Sequence, residues 1–111
     1  MATPDEFDVT VETPREGTIV VHITGDLDLA TAPRVDDALS SPAAAHVVID
    51  LAGCTFLDSS GVRVLVEAVR DAPERGRRVS LVATDTGIRR VLEITGVDTM
   101  VPVHSSVEEA L

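Results

Sequence analysis

The sequence predicts an α/β domain: a mostly parallel sheet with an antiparallel N-terminal hairpin and three to four helices, in the order ββαβαβαβα. Three observations predict it. Two stretches of alternating apolar and polar residues follow one another at the N-terminus, joined by a short turn. Short apolar runs, Val47–Leu51 and Val79–Ala83, recur further on and suit strands buried on both faces. After each run stands a segment whose apolar residues repeat at helical spacing. Strands alternating with helices imply parallel pairing through right-handed crossovers. At 111 residues the chain is read as one domain over 1–111, with no internal repeat and no linker.

Phe7, Val9 and Val11 alternate with Asp8, Thr10 and Glu12, a strand exposed on one side. Pro14-Arg15-Glu16-Gly17 is the turn, and Thr18–Thr24 is the second strand, with Ile19, Val21 and Ile23 on one face. Gly25-Asp26-Leu27-Asp28 ends it as a turn. Thr31 is the expected cap of the first helix, with Pro33 in its first turn, Val35 and Leu39 inward, and Ser40-Ser41-Pro42 as its stop. The central strand Val47–Leu51 gives way to a loop, Ala52–Leu57. Val62, Leu65, Val66 and Val69 then mark one face of a helix that Pro73 ends near Ala72. Glu74–Arg78 turns back into Val79–Ala83. Thr84 or Asp85 caps a third helix with Ile88, Val91 and Leu92 inward, and Gly96 stands where a left-handed cap belongs. Met100–Val103 is a last short strand. Ser105-Ser106-Val107-Glu108 has capping-box spacing and opens a terminal helix running to at least Leu111.

With two Phe and neither Trp nor Tyr, the core has to be aliphatic. The net charge of −10 provides no basic footprint for nucleic acid and repels anionic lipid, but attracts a partner with a basic face. The single Cys54 permits no internal disulfide and has no metal-site spacing, which fits a reduced, cytoplasmic setting. Met1–Asp8 carries three acids and no apolar core, so no secretory signal is expected, and no apolar run reaches the roughly 20 residues of a membrane helix.

The three histidines, His22, His46 and His104, are far apart and read as strand residues, not ligands. Asp58-Ser59-Ser60-Gly61 lacks the leading glycine of a nucleophile elbow, and no histidine has an obvious place as base. A phospho-aspartate site built on Asp50 and Asp58 would need a lysine, and all nine basic residues are Arg. Gly-rich phosphate loops are absent. A small-molecule site in the crevice beside Gly25–Asp28 and Asp58–Gly61 has little in the sequence for or against it. The two serines sit where strand hands over to helix. Ser60 is the expected N-cap. Ser59 lies just outside the helix, exposed, where free N–H groups would tolerate a phosphate. Taken alone, the run needs no more than a helix cap.

Phe56-Leu57-Asp58-Ser59-Ser60-Gly61-Val62, placed after the central strand, resembles the signature of the STAS family, the bacterial anti-sigma factor antagonists. Gly25-Asp26-Leu27-Asp28 followed by Thr31 is similar to that family's upstream Gly-(Glu/Asp)-Leu-Asp segment. Ile88–Gly96 resembles its late helix ending in Ser/Thr-Gly. The resemblance implies the same compact α/β fold and an interaction switch, not an enzyme, with no cofactor and no metal. It implies phosphorylation at Ser59 and a capping role for Ser60. Asp28, Asp58, Ser59, Ser60 and Gly61 become the surface that a partner reads. The implied partners are an anti-sigma factor serine kinase and a PP2C-type phosphatase, acting on a monomer or weak dimer, with no direct nucleic-acid or membrane contact. Val62 stands where Leu is commoner, and Leu29-Ala30 is apolar where relatives are often polar. The alternative is a constitutive STAS adaptor in a lipid-transport or stress-signalling assembly, with Asp-Ser-Ser-Gly serving only as a cap.

Overall fold

The computed structural model describes residues 6–40 and 43–111. Its elements are β1 (Asp8–Arg15), β2 (Thr18–Leu27), α1 (Ala32–Ser40), β3 (His46–Leu57), α2 (Ser59–Asp71), β4 (Arg78–Val82), α3 (Thr86–Thr95), α4 (Val97–Met100), β5 (Val103–His104) and α5 (Val107–Ala110). The strands form one sheet in the order β1-β2-β3-β4-β5. β1 pairs antiparallel with β2, and every later pairing is parallel. The expected mostly parallel sheet with an antiparallel edge is therefore present, with α4 added as a single turn after Gly96.

The three crossovers advance in one direction across the sheet, which puts their helices on one face. There Ile19, Val21, Ile23, Val47, Ile49 and Leu81 meet Val35 and Leu39 of α1, Val64 and Leu65 of α2, and Ile88 and Leu92 of α3. On the other face Val20, Val48 and Val82 pack under Ala110, Val107 and Leu111 of the terminal helix. The core is aliphatic, as composition requires, with Phe7 its one buried aromatic. In α2 the inward face is centred on Gly61, Val64 and Leu65, while Val62, Val66 and Val69 flank it half-buried.

Several boundaries differ from those the pattern predicts, each for a physical reason. β1 runs on through Pro14, because an edge strand tolerates a residue with no N–H and a register shift between Glu12 and Arg15 absorbs it. Only Glu16-Gly17 turns, with Gly17 at φ 79°. β2 continues to Leu27 and β3 to Leu57, so neither Gly25–Leu27 nor Ala52–Leu57 is a loop. Their extensions pair with each other, Thr24 with Gly53 and Leu27 with Leu57, across register shifts at His22/Thr24 and Gly25/Asp26. Gly25, at φ 96°, takes a conformation that side chains avoid. β4 starts and ends one residue earlier than expected. The last strand is Val103–His104, and Met100 belongs to α4. Ser106, not Ser105, caps α5 by accepting from the Glu109 N–H at 3.2 Å, while Glu109 reaches back to the Ser105 N–H; the box is shifted by one residue, and Leu111 closes the helix. The expected stop at Ser41-Pro42 and the start of the acidic Met1–Asp8 segment lie outside the described residues.

The strand order never reverses, so the sheet has no topological switch point of the kind that opens a ligand crevice. Asp50 and Asp58 are also far from forming a pair. β3 continues from Asp50 to Leu57, roughly 23 Å of chain. Asp50 Oδ2 is instead 2.7 Å from His22 Nδ1, on the terminal-helix face of the sheet.

Candidate functional site

The site forms where β2 and β3 end side by side. The Asp58 N–H donates to Leu27 O at 3.2 Å, a last rung of the parallel ladder. Asp58 is extended (φ −100°, ψ −173°), and its Oδ1 accepts from the Ser60 N–H at 2.9 Å and the Gly61 N–H at 3.0 Å. Asp58 is therefore the N-cap, and the expected assignment to Ser60 is corrected. A carboxylate, with its charge and fixed acceptors at the positive end of a helix, outcompetes a hydroxyl two residues inside. The Ser60 hydroxyl is half-buried and has no hydrogen bond among the described residues. Ser59 is the first residue of α2, exposed, rather than just outside the helix. Two of the N–H groups expected to face a phosphate there are already taken by Asp58.

Gly61 is buried for a packing reason. A Cβ at that position would lie 2.6 Å from Leu57 Cδ1 and 2.8 Å from both Leu27 Cγ and Leu27 O. Only a glycine lets the first turn of α2 sit down on the ends of both strands, and that contact fixes the height at which Ser59 is presented.

The upstream acid has a parallel job. Asp28 Oδ1 accepts from the Ala30 N–H at 3.0 Å and the Thr31 N–H at 3.2 Å, turning the chain from β2 into α1. Thr31 precedes α1 as expected, but its hydroxyl is engaged upstream: it donates to Asp26 O at 2.7 Å and accepts from the Asp28 N–H at 2.9 Å. Asp26 is 5% exposed. Its Oδ1 accepts from the Thr55 hydroxyl at 2.7 Å, and its Oδ2 has no partner among the described residues.

These turns bring the two sequence segments together. An open depression of about 430 Å³ is lined by Asp28, Leu29, Ala30, Phe56 and Asp58. A second, of about 250 Å³, runs between α1 and α2 past Leu29, Pro33, Ser60, Arg63 and Val64. Leu29 is 76% exposed and Phe56 42%. The sequence pattern alone does not place Leu29, Phe56 or Arg63 in the site. The signals available were an apolar Leu29-Ala30 between acidic turns, and a phenylalanine in a chain nearly devoid of aromatics.

The remaining titratable groups lie elsewhere. His22 sits on an interior strand, its Nε2 2.9 Å from Glu12 Oε1 and its Nδ1 2.7 Å from Asp50 Oδ2. The Glu12 hydrogen bond, with help from Asp50, raises its pKa above the ordinary histidine value against an opposing contribution from burial. His46 is buried beside Ser80 (3.1 Å) and Arg78 (3.3 Å), and burial first, then Arg78, lowers its pKa. His22 and His104 lie in one register row through Asp50 and Val82, and His46 is on the same face, paired with Thr18 and Arg78. All three are on the face away from α2, so none reaches Ser59 as a base. Burial pushes the Cys54 thiol up, and its Sγ donates to Phe56 O at 3.2 Å.

The STAS domain family model matches residues 10–110. The chain belongs to the STAS domain family. This STAS domain is 31% identical to the anti-sigma-F factor antagonist RsfB of Mycobacterium tuberculosis over 114 residues, covering 100% of this chain and 92% of the relative. An anti-sigma factor antagonist from Mycobacterium paratuberculosis superposes with a TM-score of 0.84 at 29% identity, covering 99% of this chain and 95% of that one. The Bacillus antagonist SpoIIAA shares the fold in its unphosphorylated form (TM-score 0.75, 21% identity, 93% and 92% covered) and in its phosphorylated form (0.72, 20%, 93% and 96%).

Proposed function

We propose that this STAS domain is an anti-sigma factor antagonist whose docking face is the Asp28–Phe56–Asp58–Ser59 surface, and that phosphorylation of Ser59 turns docking off. One observation carries the reading: Ser59 is held exposed on a rigid helix start, next to a depression that Asp28 and Asp58 share with exposed Leu29 and Phe56. The names of the relatives support the antagonist role, and SpoIIAA has been solved both with and without phosphate.

In its unphosphorylated form the domain binds, in the cytoplasm, an anti-sigma factor that is also a serine kinase, and the sigma factor is released. Leu29 and Phe56 supply apolar contact, and the two aspartates meet basic groups on the partner. The kinase then transfers the γ-phosphoryl of ATP. A bond forms from Ser59 Oγ to the γ-phosphorus, the bond to the β-phosphate oxygen breaks, ADP leaves, and the hydroxyl proton passes to a base on the kinase. The product carries about −1.5 to −2 more charge beside Asp58. Inside an interface that charge meets desolvation and repulsion. A loss of about 3–4 kcal/mol weakens binding several-hundredfold, enough to part the complex. A PP2C-type phosphatase hydrolyses the phosphoserine and resets the switch.

The test is intact-mass spectrometry after incubation with the candidate anti-sigma kinase and Mg-ATP. Wild type should gain one phosphate and Ser59→Ala none, while Ser59→Ala retains partner binding. Equal partner affinity for wild type and Ser59→Asp would overturn the switch.

A further inference from the structure

We propose that Arg63 is the counter-ion of the Ser59 phosphate, folding back onto it when the switch is off. The inference rests on the phosphoswitch reading and adds to it a residue and a charge change. Ser59 and Arg63 stand four apart on α2, so they share one face of the helix. Helical side chains lean toward the N-terminus, which carries the long Arg63 side chain over the turn that begins at Ser59. Arg63 is exposed and has no ion-pair or hydrogen-bond partner among the described residues. Among the described residues it is also the one basic residue lining the two depressions beside Ser59, whose other charged residues are Asp28, Asp36, Asp58 and Glu67. The next base along α2 is Arg70, a further seven residues or roughly 10 Å away.

The backbone offers the phosphate little. The N–H groups of Ser60 and Gly61 are bonded to Asp58, and Asp58 itself repels a second anion. Compensation has to come from a side chain, and Arg63 has the spacing, direction and freedom to provide it. Its guanidinium is planar and always charged, suited to two phosphate oxygens at once. Phosphorylation then changes the docking face twice. It adds negative charge at Ser59, and it removes a cation that the unmodified domain shows to its partner.

The experiment installs phosphoserine at position 59 by genetic encoding, with no kinase involved, and follows the phosphate by ³¹P NMR titration. In wild type its second pKa should lie about 0.15–0.4 pH unit below that in Arg63→Gln. Arg63→Lys should recover part of the difference, and 0.5 M salt should shrink it. Indistinguishable titrations of wild type and Arg63→Gln, both shown folded by circular dichroism, would overturn the assignment. The result is separate from the phosphoswitch itself. Failure of the kinase to modify Ser59 would leave these titrations unchanged, and flat titrations would leave kinase modification unchanged.

Discussion

Asp58 has two roles, and they respond differently to substitution. As the cap of α2 it satisfies two N–H groups, so Asp58→Ala should destabilise the domain by about 1 kcal/mol in urea unfolding. Ser60→Ala should stay within about 0.5 kcal/mol, because the Ser60 hydroxyl holds nothing in place. The reverse ranking would restore the cap to Ser60. Thr55 makes a sharper case. It is exposed, and position alone would make Thr55→Val nearly neutral. Yet among the described residues its hydroxyl is the one hydrogen-bond donor to the side chain of buried Asp26, whose other oxygen has no partner there. Thr55→Val should therefore cost about 1–3 kcal/mol, the penalty of stranding a buried acceptor. A neutral Thr55→Val would show that Asp26 does not depend on this bond.

Elements with an uninterrupted period are legible in the sequence; those built on bulges are not. Val47–Leu51 reads as a strand because its run is short and apolar, and the 62/65/66/69 stripe finds the helix but not the centre of its inward face, which is Gly61, Val64 and Leu65. Beyond Leu51 the buried residues of β3 are Leu51, Cys54 and Leu57, a spacing of three created by the register shifts, so a search for period two sees a loop. The same step hid part of the site. Placing Phe56 beside Asp28 requires knowing that Leu27 pairs with Leu57, which is long-range information. The handover to a helix at Asp58–Gly61 is legible because it is local, but the pattern does not give the cap to Asp58 rather than Ser60, nor the packing of Gly61 on Leu27 and Leu57. The Gly61 contact predicts that Gly61→Ala either tilts α2 or costs about 1–3 kcal/mol, since the new methyl meets Leu57 and Leu27. His22 ties three strands together, holding Glu12 of β1 and Asp50 of β3 from its place on β2. Its folded pKa is raised above 6.5, so the folded state binds its proton more tightly than the unfolded chain does. The stabilisation is complete below pH 6.5 and fades as pH rises through the raised value. His46 acts on the other side. Its lowered pKa costs stability only as pH falls below 6.5. Between pH 6.5 and 8.5 wild type should therefore lose stability that His22→Gln does not lose, read from urea midpoints. Parallel pH profiles for the two proteins would sink the assignment.

At the scale of the whole molecule, the net charge of −10 sets how the domain meets a partner with a basic face. Long-range attraction raises the association rate and is screened by salt. Phosphorylation adds about −1.5 to −2 charges, roughly a fifth of what is already present. That addition can only strengthen long-range attraction to a basic partner. The off-state cannot then come from slower encounter. It has to come from faster dissociation, as the buried charge at Ser59 repels and strips water within a complex already formed. Ser59→Asp is a milder version of the same change. In stopped-flow measurements with the anti-sigma kinase, its association rate constant should match or slightly exceed that of wild type, and both should fall together between 0.05 and 0.5 M salt. The loss of affinity should appear in the dissociation rate constant. A Ser59→Asp variant that binds weakly because it associates slowly, with dissociation unchanged, would mean that the serine face governs encounter and not release.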